Sequence, residues 1–256
     1  MTALSILVLA LAPSPAWEQD PPAPPAEDVR AAIERVRAAQ KKGADAASLV
    51  EALGRASEVA SPEVAALVAK ALDDAREPVQ SAAVDALGRM RHSSALDALA
   101  GYARRERRRI DDRPELEAAL VRALGAHGDP SVISLLARDA LVEKERAVAK
   151  ARILSLGNIR SRAALEELLS IMRSHGEKRV QPYMRDLRIS LMLLTSVDMG
   201  TSQARWNDWW NEHKKGFEVA AQAPRLPDAE RRQWDRFWGR RHSYVREERR
   251  RERGRD

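Results

Sequence analysis

The residue types best suited to chemistry are dispersed along this chain. Five histidines, His92, His127, His175, His213 and His242, could ligate a metal or relay a proton. No two of them stand four residues apart and no HExxH occurs, so metal ligation is not expected. The acid pairs Asp73-Asp74, Asp111-Asp112 and Glu166-Glu167 have the composition of a general acid and base. They fall at predicted helix ends or faces, where solvation accounts for them. No GxSxG, Walker loop or GxGxxG is present. No catalytic residue and no cofactor are expected, and the chain reads as non-enzymatic.

Cationic and aromatic clusters remain. The run Arg104-Arg105-Glu106-Arg107-Arg108-Arg109 reads either as an anion- or partner-binding insertion or as a solvated helix end, where arginines complement the macrodipole. Asp111, Asp112 and Glu115 follow and partly neutralise it. Trp206, Trp209 and Trp210 share one helical face and read as a structural cap, with a sugar-binding platform as the alternative. Trp234, Phe237 and Trp238 form a second apolar face, surrounded by Arg231, Arg232, Arg236, Arg240 and Arg241. From Arg225 to Asp256 stand 12 Arg and 7 acidic residues, so +5 of the overall +6 resides here. Nucleic acid or an anionic membrane surface would suit such a segment. Interspersed glutamates argue against phosphate tracking, so nucleic acid is disfavoured and peripheral membrane contact stays open. The candidate partner-binding residues are Arg104, Arg105, Arg107, Arg108, Trp234, Trp238, Arg240 and Arg241.

The elements that hold these clusters follow from a recurring punctuation mark. It reads Ala52-Leu53-Gly54-Arg55, Ala86-Leu87-Gly88-Arg89, Ala123-Leu124-Gly125-Ala126 and Ser155-Leu156-Gly157-Asn158, with glycines 34, 37 and 32 residues apart. Such a period marks one supersecondary unit copied in tandem. Small residues recur two before the glycine, and Val79, Leu116 and Val148 stand nine before it; these offsets lie near one helix face. The glycine is expected to stop the helix in a left-handed conformation. A second apolar pattern follows at Leu96 and Leu99, Ile133 and Leu136, and Leu165 and Leu168, with Val64 and Leu67 in the first unit. Ser61-Pro62, Ser93, Asp129-Pro130 and Ser161 are expected to start these second helices. Each unit is therefore a helical hairpin that completes its core by stacking on its neighbours.

The second unit, Leu72-Asp73 followed by Val79-Gln80-Ser81-Ala82-Ala83-Val84-Asp85-Ala86-Leu87-Gly88, resembles the short HEAT-like repeats of phycobilisome-lyase-type proteins. The family commonly places at position 80 an Arg that braces adjacent repeats; here Gln80, Glu117 and Ala149 occupy that column. The resemblance covers residues 45–200. It extends to the segment from Leu193 to Asn211, similar to one that closes such arrays with a leucine-rich helix, a Thr195-x-x-Asp198-x-Gly200 turn and a Trp-rich helix. It implies an α-solenoid and many unrelated partners. It also carries an alternative activity: attachment or detachment of a bilin. A tetratricopeptide array has a similar period, but its aromatic positions are missing.

The expected fold is all-α: an α-solenoid of about four tandem HEAT-like hairpins, with a C-terminal aromatic cap helix and a basic tail helix. The 44% hydrophobic content with 4% aromatics requires a core of Ala, Leu and Val. Residues 1–16 read as a signal peptide, with the apolar run Leu4–Ala12 and small residues before a cut after Ala16. Residues 17–26 are a Pro-rich linker, 27–215 the solenoid with an N-terminal capping helix, and 224–256 a Trp/Arg-rich helix and charged tail. The expected role is a protein-binding scaffold or adaptor, extracytoplasmic (periplasmic or secreted), with an unknown protein partner.

Overall fold

The computed structural model describes residues 20–41, 45–141 and 145–240. The proposed signal segment, Arg241 and the tail beyond it lie outside these residues. The described chain is helical, with no strand among the described residues. Helix α1 spans Ala26–Ala39 and packs on both α2 (Ala46–Ala56) and α3 (Pro62–Ala69), as a capping helix should. The hairpins then continue as α4 (Glu77–Arg89) with α5 (Ser93–Arg105), α7 (Pro114–Ala126) with α8 (Ile133–Ala137), α9 (Arg146–Asn158) with α10 (Arg162–Ser174), and α12 (Met184–Thr195) with α13 (Gln203–His213). Short helices α6 (Arg107–Asp111) and α11 (Glu177–Val180) interrupt the series, and α14 (Asp228–Phe237) ends it.

Two layers result. The first helices stack in the order α2, α4, α7, α9, α12, and the second helices lie against one side of that row. This is an all-α HEAT-like solenoid. Its core is continuous from Ala32 and Val36 to Trp206 and Trp210, and every small residue two before the glycine is buried. Helix α6 contains the end of the arginine run, and its insertion gives the longer 37-residue interval.

The glycine column works differently from the sequence expectation. Gly88, Gly125 and Gly157 lie inside the last turn of their helices, and none has a positive φ. Their role is close approach. A Cβ on Gly88 would stand 2.7 Å from the Ala123 Cβ, and one on Gly125 or Gly157 would stand 2.8 Å from the Cα of Ser155 or Ser190. Each glycine thus receives the small residue of the next first helix, and the two columns are one interface. Gly54 is the weak member, since a Cβ there would meet only an Arg89 side-chain nitrogen at 4.0 Å.

The same register reveals a fifth hairpin. Ser190 takes the place of Ala123 and Ser155, so Met192 occupies the glycine column in α12. Among the described residues no later first helix packs there, so no glycine is required. The tryptophan helix α13 is the second helix of this unit. Trp206, Trp209 and Trp210 are 0%, 7% and 5% exposed and belong to the common core. The turn between the helices is held by Asp198, which accepts the Gly200 N–H, and by Gly200 O, which accepts the Trp206 indole N–H at 2.9 Å.

Ser61 and Ser161 cap α3 and α10 as expected, accepting from the N–H groups of Val64 and Ala164, whereas Asp129 accepts from the Ser131 N–H and caps the 3-10 turn Pro130–Val132 that leads into α8. Ser93 does not cap. It is the first residue of α5, and the His92 ring accepts the Ser94 N–H instead. The Ser93 N–H and hydroxyl both bond to the carboxylate of Asp20, so the proline-rich segment supplies a cap from 73 residues away.

The family's bracing arginine is replaced by two other devices. Arg113 donates to Gln80 Oε1 at 2.6 Å, and Gln80 donates to Leu72 O. Arg152, buried in α9, donates to Glu117 of α7 at 2.5 Å and to the carbonyls of Leu135 and Leu136 at the end of α8. Helix-end carbonyls are also bonded across repeats. His127 Nε2 meets Leu87 O at 3.1 Å, Asn158 donates to Gly125 O, and Arg91 donates to Ala126 O.

Candidate interaction face of the helical array

The side of the first-helix row away from the second helices is graded in chemistry. Three residues before the glycine column stand Glu51, Asp85 and Arg122, then Leu154 and Ile189. Glu51 and Asp85 are exposed and Arg122 is half-buried, whereas Leu154 and Ile189 are both 0% exposed.

The C-terminal segment closes the apolar end. After α13 the chain turns back along the array. Phe217 packs edge-on against Trp209 and Trp210, at 5.4 and 5.9 Å between ring centroids. Arg160 donates to Ala220 O and Leu193 O, and Arg162 donates to Phe217 O while lying 5.3 Å over the Trp210 ring. Pro227 precedes α14, and Asp228 is its first residue.

Helix α14 is fastened to α12 by polar side chains. Gln233 donates to Asp186 at 2.5 Å, and Arg188 donates to Glu230 at 2.9 Å and to Asp198 at 2.6 Å. Burial pushes the Asp186 carboxyl up, against the opposing pull of Lys150 and the Gln233 hydrogen bond. The hydrogen bond from Arg188 holds Asp198 down at about 2. Trp234, a candidate binding residue from sequence, is 6% exposed and packs inside its own chain. Trp238 is half-buried and packs on Trp234 and Phe237.

Beyond α14 a groove of about 430 Å³ opens between its last turn and the ends of α4 and α7. Asp85, Arg89, Arg122, Arg236, Phe237 and Trp238 are among its lining residues. Arg240 is exposed and lies within electrostatic reach of Arg91.

The other predicted site residues lie elsewhere. Arg104, Arg105, Arg107 and Arg108 are exposed at the end of α5 and on α6. Arg105 pairs with Asp73 and Glu106, and Arg107 lies 3.8 Å from Asp111 and 3.7 Å from Asp139. Arg104 and Arg108 have no ion pair among the described residues. No described hydrogen bond or ion pair joins this run to α14. Sequence reasoning passed over Asp85, Arg89 and Arg122. The signal for Arg89 was present, because it closes the second punctuation mark.

Residues 79–102, from the first turn of α4 to near the end of α5, match the family model for the PBS lyase HEAT-like repeat. These residues are a HEAT-like repeat. The match coincides with the hairpin whose Gly88 meets Ala123 of the next HEAT-like unit. No curated protein matches the chain. The hairpins that follow it share this unit's glycine-to-small-residue contact, at Gly125 with Ser155 and Gly157 with Ser190, so they are copies by geometry as well as by period; the hairpin before it shares the period alone.

Proposed function

We propose that this HEAT-like array is a non-catalytic scaffold or adaptor that binds a protein partner along the first-helix side of its early repeats. One observation carries the reading. The same side already accepts a helix, α14, by burying Trp234 and pairing with Asp186 and Arg188. The row from α2 to α7 continues that side and presents Glu51, Asp85 and Arg122. A surface that packs a helix through one apolar anchor and flanking charges is suited to a second one.

Export belongs to the same reading and rests on the sequence of residues 1–16, so the partner would be an envelope or secreted protein. Affinity capture from the native envelope fraction, followed by cross-linking and mass spectrometry, tests it. The expected result is a stoichiometric partner cross-linked to α2, α4 and α7. Recovery of no protein above background would sink the scaffold.

The word lyase in the family description supports one alternative, a bilin-handling enzyme. A new visible absorbance band after incubation with a bilin would favour that reading over the scaffold.

A further inference from the structure

The groove between α14 and the ends of α4 and α7 holds a charge imbalance that the fold leaves unused. Arg89, Arg122 and Arg236 line it against one carboxylate, Asp85. Cations are favoured at helix C-termini, which would explain arginines here if they served the terminal carbonyls. They do not. Leu87 O is bonded by His127, Gly125 O by Asn158 and Ala126 O by Arg91. Arg89 spends its Nε–H on Ser57 and leaves its terminal nitrogens without a described partner. Arg122 stands 3.8 Å from Asp85, beyond hydrogen-bond reach. Arg236 is exposed, with no side-chain partner among the described residues. Beside these forks, Phe237 and Trp238 form an apolar wall with ring centroids 4.8 Å apart. The indole N–H of Trp238 is buried without an acceptor.

We propose that this groove binds an acidic peptide segment of a protein partner, with carboxylates on Arg122 and Arg236 and an apolar side chain against Phe237 and Trp238. Arginine forks match carboxylates two bonds at a time. Asp85 in the middle of the arginines and a volume of about 430 Å³ favour a few peptide side chains over a phosphate track. The proposal deepens the scaffold reading and rests on it.

The test is fluorescence anisotropy on the full chain at low salt. The probes are a fluorescein-labelled peptide of Glu-Glu-Leu triplets and an oligothymidine of equal net charge. The peptide is expected to bind more tightly. R236E and R122E should each weaken it by roughly tenfold, and D85N should tighten it several-fold. That gain cannot arise from misfolding. The full-length variant R249Q/R250Q/R251Q, altered in the tail alone, should bind as wild type does. Equal binding by R236E, R122E and D85N, loss in the tail variant, or preference for oligothymidine would each overturn the groove. A partner captured equally by wild type and R236E would leave the scaffold and remove this site from it.

Discussion

Gly125 and Ser155 share a space that holds one side chain. A Cβ on Gly125 would lie 2.8 Å from the Ser155 Cα, while the Ser155 hydroxyl donates to Val121 O one turn earlier on the same helix as Gly125. Helices α7 and α9 therefore approach through backbone, and their spacing is fixed by the absence of a methyl group.

Gly125→Ala and Gly157→Ala should each destabilise the array by about 1–3 kcal/mol, because two packed helices must move apart. Gly54→Ala should be neutral or stabilise by about 0.5–1 kcal/mol, since alanine is the better helix former and the space is open. Thermal melts of the three variants check this. Equal effects at all three positions would remove the close-approach role.

Leu87 and Leu124 are 0% and 2% exposed between successive hairpins. Leu87→Asp or Leu124→Asp should cost about 3 kcal/mol or more, because the carboxylate has no partner there. Hydrogen exchange should show lost protection in the hairpins on both sides of the substitution. Unchanged melts would take these leucines out of the shared interior.

The buried pair Arg152–Glu117 should behave asymmetrically. Glu117→Ala should cost about 3–5 kcal/mol by stranding the guanidinium. Replacing both partners, as R152M with E117L, should recover most of that loss. The double-mutant cycle in urea measures the coupling.

Acid should weaken the fold in a defined window. Burial holds His127 down at about 4, from an ordinary value of 6.5, although its ring bonds Leu87 O. The unfolded chain therefore binds more protons between these values. Stability present above pH 6.5 should fall by up to about 3 kcal/mol as the pH drops to about 4. His127→Gln should flatten this stretch of the stability curve. A histidine-independent slope would show that the ring titrates freely.

Asp186 has the opposite sign. Its carboxyl is raised by burial, so its ionised form opposes folding at neutral pH and the penalty lifts as it protonates. Asp186→Asn keeps an oxygen for Gln233 and should be neutral or stabilising at pH 7, by melt. A large loss would mean that charge, through Lys150, carries the α12–α14 joint.

The period, the hairpins and the core columns were readable in sequence because local helix patterning and tandem copying are both written in short spacings. The fifth hairpin was not recognisable as a copy, because Met192 replaces the signature glycine where, among the described residues, no further first helix packs. The role of the glycines was misjudged because a left-handed stop and a close approach demand the same residue. The seat of α14 was hidden for another reason. Gln233 and Asp186 stand 47 positions apart, and nothing local to either one encodes their pairing. The cap on α5 failed likewise, since Asp20 reaches it from outside the repeats.

Met192 also sets the length of the stack. A newcomer laid against α12 in the manner of α9 would need to sink its backbone where a thioether chain already stands, and the tryptophan helix flanks the same end. With α1 lidding the opposite end, neither end of the described array offers an open glycine column to another first helix. Among the described residues, the long faces are therefore the surfaces left open to a second molecule.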